Sequence, residues 1–153
     1  MDRIAPRMNV LWAASQTLSR SAEDLSALAR KNQGLSSLPV AQIASDLAAI
    51  SEDINVVTLF FSVRTLLRPD AEREFRQRFL VNLLSEKKGS VEKHLQKILD
   101  FYDELGDPQA LAIARSSETA IRRSLFEMTE CLRELAKKPA TGAAAGNGQK
   151  ANP

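Results

Sequence analysis

The residue types that usually carry catalysis or bind metals are scarce in this sequence. It contains one histidine, His94, and one cysteine, Cys131. A lone cysteine excludes an intramolecular disulfide, and one cysteine with one histidine cannot form a Cys/His zinc cluster within one chain. A di-iron site in a helical bundle uses Glu-x-x-His pairs from two helices, so it would need a second histidine. We therefore expect no metal and no cofactor.

The spacing of His94 and Lys97 is the one pattern that suggests group transfer. The two residues lie three positions apart on a presumed helix. This is similar to the His-x-x-Lys element of histidine phosphotransfer domains, which are antiparallel helical bundles. The resemblance implies that His94 accepts a phosphoryl group and that Lys97 offsets its charge. The chain departs from the element at Ile98, where those domains usually have a glycine, and the alternative is a solvated histidine beside an apolar stripe.

Glu118 is the most unusual charged residue, because it falls within an apolar heptad stripe. A buried carboxylate without a partner is costly. The candidates for pairing with it are Arg115, Arg122 and His94. The alternative is a surface glutamate at the edge of the stripe, since carboxylates stay hydrated unless they are paired.

Motifs and charge argue against several classes of function. The chain has no glycine-rich phosphate-binding loop and no nucleophile elbow, so we expect a non-enzymatic protein without catalytic residues. Its net charge of +2 is too small to indicate a nucleic-acid partner. Five arginines do cluster in the middle of the chain: Arg64, Arg68, Arg73, Arg76 and Arg78. Acidic residues are interleaved with them, which is typical of a solvated helix face.

Length and apolar content predict a single globular domain. The chain has 153 residues, of which 44% are hydrophobic and 26% charged, so it can bury a core without covalent cross-links. No apolar run approaches the roughly 20 residues of a membrane span, and the N-terminal residues lack the apolar segment of a secretory signal. We expect a cytoplasmic protein without a transmembrane segment.

Apolar residues repeat with helical spacing along most of the chain, which predicts an all-α fold. Four long helices follow from the stripes and the breaks between them: Met8 to about Arg30, Ser37 to about Arg68, Asp70 to Leu105, and Pro108 to Leu135. Short connections between long helices favour an antiparallel up-down-up-down four-helix bundle. We expect this domain to occupy residues 1–138. Residues 139–153 contain no large apolar side chain and are predicted to be a disordered tail.

Glycines and prolines mark the predicted helix ends. Gly106, Asp107 and Pro108 match a C-terminal glycine, an N-cap aspartate and a first-turn proline. Asp70, directly after Pro69, is the candidate N-cap of the third helix. Gly89 lies inside the third stripe, and we expect the helix to continue through it with a kink.

The second helix carries more apolar side chains than one stripe can hold. Nine large apolar residues fall between Ile54 and Leu67. At 100° per residue, those spaced as Ile54 and Val57 face the core, and a second series lies on the opposite side. The third helix continues this apolar end of the bundle. The predicted partner-binding residues are Val56, Leu59, Phe60, Val63, Leu66, Leu80 and Leu84.

The sequence thus predicts an adaptor or regulatory protein that works through an apolar surface. The occupant is a second copy, giving a homodimer, or a helix of a partner protein. A lipid or polymer surface is a further alternative. The N-terminal helix or the third helix could instead cover the same side chains within the monomer.

Overall fold

The computed structural model describes residues 4–31, 37–63 and 67–137, and these form helices without a strand. In chain order the elements are α1 Ile4–Lys31, α2 Ser37–Val63, α3 Pro69–Glu74, a π-helical segment Phe75–Leu80, α4 Ser85–Leu105 and α5 Pro108–Ala136. The predicted tail at 139–153 lies outside the described residues, as do Arg64 and Leu66.

The four long helices form a closed ring. α1 packs against α2 and α5, and α4 packs against the same two helices. Because successive long helices reverse direction, every neighbouring pair in the ring is antiparallel. The predicted all-α, up-down-up-down four-helix bundle is confirmed. No helix in the described ranges is long and apolar enough to cross a membrane.

One continuous core runs along the axis of the ring. Each long helix contributes an apolar stripe at the spacing found in the sequence. Among the most deeply buried members are Leu11, Leu18, Ile43, Ile50, Leu95, Ile98, Ile121, Leu125 and Met128. Burying one such side chain stabilises a fold by about 1.5 to 3 kcal/mol, so these stripes decide which helix faces meet.

The connection between α4 and α5 follows the local sequence closely. Gly106 ends α4 with φ of 73°, a left-handed conformation that costs glycine nothing. Asp107 is the N-cap of α5, and its Oδ1 accepts a hydrogen bond of 3.1 Å from the backbone N–H of Ala110. Pro108 occupies the first helical turn, where no backbone donor is needed. The predicted boundary is confirmed at each of these residues.

The start of α3 differs from the prediction that Asp70 is its N-cap. The N-cap is Arg68, in extended conformation, and Pro69 is the first helical residue. Proline favours that first position, so the cap falls one residue before it. Asp70 instead lies in the first turn, where its carboxylate pairs with Arg68 at 3.2 Å.

The third helical region, from α3 to α4, is not one continuous helix. Its interruption ends five residues before Gly89, the residue at which a kink was predicted. The π-helical segment is followed by a break at Leu83 and Leu84, and α4 begins at Ser85. Gly89 lies within α4, where an added Cβ would meet no atom within 4 Å.

Candidate functional site: an apolar helix face, a histidine cluster and a groove

The outward side of α2 exposes a row of apolar side chains near the end of the helix. Leu59 is 64% exposed and Val56 is 46% exposed. Val63, one turn further on, is half-buried. We call these three residues the α2 outer face. Ile54 and Val57, from the other side of the same segment, are buried in the core.

Three residues predicted to belong to the partner-binding surface are instead part of the core. Phe60, Leu80 and Leu84 are each less than one-tenth exposed. The Phe60 ring stacks on Phe75, with centroids 3.6 Å apart and planes at 7°. The prediction was wrong at these positions, because each of the three side chains is already enclosed in the core of the bundle.

An exposed aromatic side chain of α1 lies at about the same height along the bundle as the α2 outer face. The Oγ atoms of Ser15 and Ser51 lie 3.2 Å apart and set the register of these antiparallel helices. Trp12, three residues before Ser15, is therefore level with the beginning of the α2 outer face. Its side chain is largely exposed. Leu59 and Trp12 are both largely exposed, so the described part of α1 does not cover the α2 outer face.

Arg76 is buried, although the sequence placed it on a solvated helix face. Its side chain points from the π-helical segment to the end of α5, where Nη1 donates hydrogen bonds to the carbonyl oxygens of Leu135 and Lys137. The guanidinium also lies 5.2 Å from the centre of the Phe61 ring and 3.5 Å from the Glu72 carboxylate. The cation thus stabilises the negative end of the α5 dipole.

His94 belongs to a polar cluster between α2 and α4. Its Nδ1 lies 2.7 Å from the backbone carbonyl oxygen of Ser90. A carbonyl only accepts, so Nδ1 carries a proton and, in the neutral ring, Nε2 keeps the lone pair. The Ser90 hydroxyl donates to Asp46 at 2.6 Å, so its proton points away from His94. This arrangement does not activate the serine as a nucleophile.

Asp46 is the member of this cluster that sequence reasoning missed. It is buried, and Gln42 Nε2 donates a second hydrogen bond to its carboxylate at 3.1 Å. Asp46 lies three residues after Ile43 and four before Ile50, both of which are core residues. That helical spacing was a signal that could have identified it. Lys97, the other residue of the His-x-x-Lys pattern, is exposed.

Glu118 is paired, as its position in the stripe required. Arg122 Nε donates to its carboxylate at 2.8 Å, and Arg122 Nη1 donates to Glu92 on α4 at 3.0 Å. Of the three predicted partners, Arg122 is the one that contacts Glu118. All three side chains of this network are partly solvated, so it bridges α4 and α5 without forming a buried charged site.

A groove of about 300 Å³ separates the π-helical segment and the start of α4 from α5. It was not recognised in the sequence, because the break that shapes it has no local signature. We call it the α4/α5 groove, and its lining residues are Leu80, Val81, Leu84, Ser85, Lys88, Thr129, Leu132 and Arg133.

Cys131 is buried against α1 and has the environment of a structural residue. Its Sγ donates to the carbonyl oxygen of Arg7 at 3.1 Å. Burial raises the pKa of this thiol to about 11, so the thiolate that reacts or binds metals is scarce at neutral pH. The described residues also contain no group of three or more His, Cys, Asp or Glu placed to hold a metal ion.

No family model, curated protein or solved structure matches this chain.

Proposed function

We propose that this chain is a non-enzymatic adaptor or regulatory protein that self-associates through the α2 outer face. The observation that supports the proposal is the exposure of Leu59 and Val56 on the outward side of α2, where the bundle buries neither. A row of large apolar side chains that the chain leaves in contact with water gains stability when another surface covers it.

The pattern of the α2 outer face favours a second helix as its occupant. Val56, Leu59 and Val63 are spaced by three and then four residues, the narrow stripe along which two helices pack. Two copies related by a two-fold axis would place these stripes against each other. Most soluble oligomers are symmetric assemblies of this kind.

The charge distribution of α2 favours a second copy of the same chain. From Ile54 to Val63 the helix contains no charged residue. Two identical stripes can therefore meet without repulsion between like charges. An uncharged stripe also offers nothing to attract a charged partner.

The core beneath the α2 outer face holds it in one conformation. Phe60 packs edge-on against Phe61, with ring centroids 5.0 Å apart, and stacks on Phe75. Phe75 in turn stacks on Phe79 at 4.8 Å. An ordered surface loses little conformational entropy on association, which favours binding.

The test is the oligomeric state of the full chain, measured by sedimentation. We expect a dimer for the wild type and a monomer for the Val56→Ser/Leu59→Ser double variant. The matched control, Ile113→Ser/Phe126→Ser, removes two exposed apolar side chains from α5 and should remain a dimer. Circular dichroism of all three proteins should show the same helix content.

A wild type that stays monomeric over the whole concentration range would refute the proposal. A double variant that remains dimeric would refute it equally, because the dimer would then use another surface. Loss of the dimer in both variants would show a general dependence on exposed apolar area rather than a specific contact on α2.

The proposal includes a cytoplasmic location and no nucleic-acid partner. The location is supported by the single cysteine, which gives no reason to expect disulfide-dependent folding. The net charge of +2 gives no reason to expect strong attraction to phosphates.

A second candidate function is phosphoryl transfer at His94, favoured by the hydrogen bond from Nδ1 to the Ser90 carbonyl oxygen. That bond fixes the tautomer in which Nε2 carries the lone pair, the form needed to attack a phosphoryl group. The full chain would be incubated with a receiver domain phosphorylated on aspartate. Label transferred to the wild type but not to His94→Gln supports the function, and absence of transfer rejects it.

A further inference from the structure

Trp12 is the only tryptophan of the chain, and it is 64% exposed. It lies within residues 8–19, a stretch of α1 that contains no charged residue, although 26% of the whole chain is charged. The centres of protein interfaces are depleted in charged residues and enriched in tryptophan, which often contributes a large part of the binding energy. The surroundings of Trp12 therefore have the composition of an interface centre.

Trp12 and Leu59 lie on the same side of the bundle. The contact between Ser15 and Ser51 marks where α1 faces α2. Trp12 lies about 60° around α1 from Ser15, and Leu59 lies about 80° around α2 from Ser51, in both cases away from the core. In the register that this contact sets, the two residues differ in height by about 7 Å. We call the outer surface between Trp12 and Leu59 the α1/α2 face.

The hydroxyl groups beside Leu59 already have acceptors within their own helix. Thr58 donates to the carbonyl oxygen of Ile54 at 2.9 Å, and Ser62 donates to that of Thr58 at 2.9 Å. Another surface can cover these hydroxyls without leaving their donors unsatisfied. The α1/α2 face can therefore lose its water at a low cost.

The α2 outer face is small for an interface. Of its three side chains, only that of Leu59 is more than half exposed, whereas each partner in a stable complex buries about 800 Å². A dimer that uses Leu59 must therefore extend to neighbouring surface. Trp12 can add the largest single contribution, because an aromatic side chain buries about 150 to 250 Å².

Charge distinguishes the two directions in which the interface could extend from Leu59. Towards α1, residues 8–19 are uncharged. Towards α4, the third helical region exposes Glu74, Arg78 and Glu86 near this end of the bundle. Covering charged side chains removes their hydration, which is costly unless each one gains a partner. Extension over the α1/α2 face is therefore favoured.

From this arrangement we infer that Trp12 anchors the dimer: the contact between two copies extends from the α2 outer face over the α1/α2 face and buries Trp12 of each copy. The inference rests on the proposed self-association. A two-fold contact presents the same uncharged surface from both sides, so no like charges meet. A membrane surface is a poorer match, because helices that lie on membranes carry Lys or Arg beside their apolar residues.

The test uses Trp12 as its own probe, since the full chain has no second tryptophan. Fluorescence emission and acrylamide quenching are measured for the wild-type dimer and for the Val56→Ser/Leu59→Ser variant, with sedimentation giving the oligomeric state of each sample. We expect the dimer to emit at shorter wavelength. Its quenching constant should be about twofold lower or less, because the core of an interface excludes water.

Substitution of Trp12 measures its contribution to affinity. Trp12→Ala should raise the Kd of the dimer about tenfold or more, and Trp12→Phe, which keeps an aromatic ring, should raise it less. The matched control is Val10→Ala. Val10 is 43% exposed on the same helix but lies about 200° around it from Trp12, so its substitution should leave the Kd unchanged.

The outcomes separate this inference from the proposed function. A wild type that stays monomeric refutes self-association, and the role of Trp12 falls with it. A wild-type dimer whose Trp12 emission and quenching equal those of the monomeric variant overturns the present inference alone. The same holds if Trp12→Ala leaves the Kd unchanged, or if Val10→Ala weakens the dimer as much as Trp12→Ala does.

Discussion

The two connections that flank α4 achieve a change of helix direction in different ways. Between α4 and α5, three consecutive residues end one helix and begin the next through their own backbone preferences. Between α2 and α4, the chain passes through α3, a π-helical segment and a break. Neither cap in that second region is formed by a side chain. Its conformation depends on contacts with α2 and α5.

The difference shows that local interactions determine the conformation of one connection and tertiary interactions that of the other. Gly106 and Asp107 adopt conformations that their own chemistry favours, so the turn needs little support from the rest of the molecule. Phe75 and Arg76 are held by Phe60 and by the end of α5, which are distant in sequence. A substitution that removes one tertiary contact of the second connection should therefore lower the free energy of unfolding more than a substitution that removes one local preference of the first.

The largest expected effect is that of Arg76→Ala. The substitution removes the donor to two carbonyl oxygens at the end of α5 and the cation above the Phe61 ring. We expect a loss of about 3 kcal/mol in the free energy of unfolding, or a Tm lower by about 6 to 12 °C. Chemical and thermal denaturation measure it.

The matched control is Arg78→Ala, two residues away. Arg78 also pairs with a glutamate one turn earlier, Glu74, but its side chain is 81% exposed. We expect a change of at most about 0.5 kcal/mol. Similar losses for Arg76→Ala and Arg78→Ala would contradict the tertiary role of Arg76.

Gly106→Ala tests the local turn and should have a smaller effect. Alanine is strained at a φ of 73°, so we expect a loss of about 1 kcal/mol. Gly106→Asn should be milder, because asparagine tolerates the left-handed region better. The two variants are compared by denaturant titration, and an alanine variant as stable as the wild type would show that the turn does not depend on this conformation.

Gly89→Ala should shift stability in the opposite direction. Gly89 lies inside α4 with open space around its missing side chain. Alanine has the higher helix propensity, so we expect a gain of about 0.5 to 1 kcal/mol. A loss of stability on denaturation would mean that the chain does bend at Gly89 in solution.

The smallest effect is the pH dependence caused by Asp53, which faces Lys87 near the break. Burial raises the pKa of this carboxyl, while Lys87 lowers it and Glu52 raises it. A raised pKa means that the folded state binds the proton more tightly. Asp53 therefore makes stability fall as pH rises from about the ordinary value of 3.8 through the raised pKa.

Asp53→Asn should therefore be slightly more stable than the wild type at pH 7. The difference should vanish below about pH 3.8, where the aspartate is protonated in both states. Lys87→Gln should steepen the fall in stability, because it removes the charge that lowers the pKa of Asp53. Thermal denaturation across this pH range measures both, and a variant less stable than the wild type at pH 7 would reverse the assigned sign.

The sequence was sufficient to predict the four-helix bundle, because its apolar stripes repeat with helical spacing along most of the chain. Ile43, Ile50 and Val57 are buried as that spacing requires, and Gly106 marks a boundary through its own conformation. The π-helical segment could not be predicted in this way. Its first residue, Phe75, stacks on Phe60 of α2, a tertiary contact that helical spacing within one stretch of sequence does not reveal.

Helical spacing also predicted only part of the candidate surfaces. Helical spacing alone separates Leu59 from Val57 and places them on different sides of α2. Leu80 and Leu84 were misplaced because the sequence pattern does not reveal the π-helical segment and the break at Leu83 and Leu84, whereas both side chains are buried in the core. The α4/α5 groove is a product of that segment and of α5, so no contiguous stretch of residues encodes it.

The contact between α1 and α5 has a consequence for how the molecule folds. Arg7 and Glu134 form an ion pair across 127 residues of chain, whereas the other helix interfaces join neighbours in the sequence. Closing so long a loop costs more entropy than forming a local hairpin. The two helical hairpins should therefore assemble early, and the docking of α1 onto α5 should set the rate at which the native state appears.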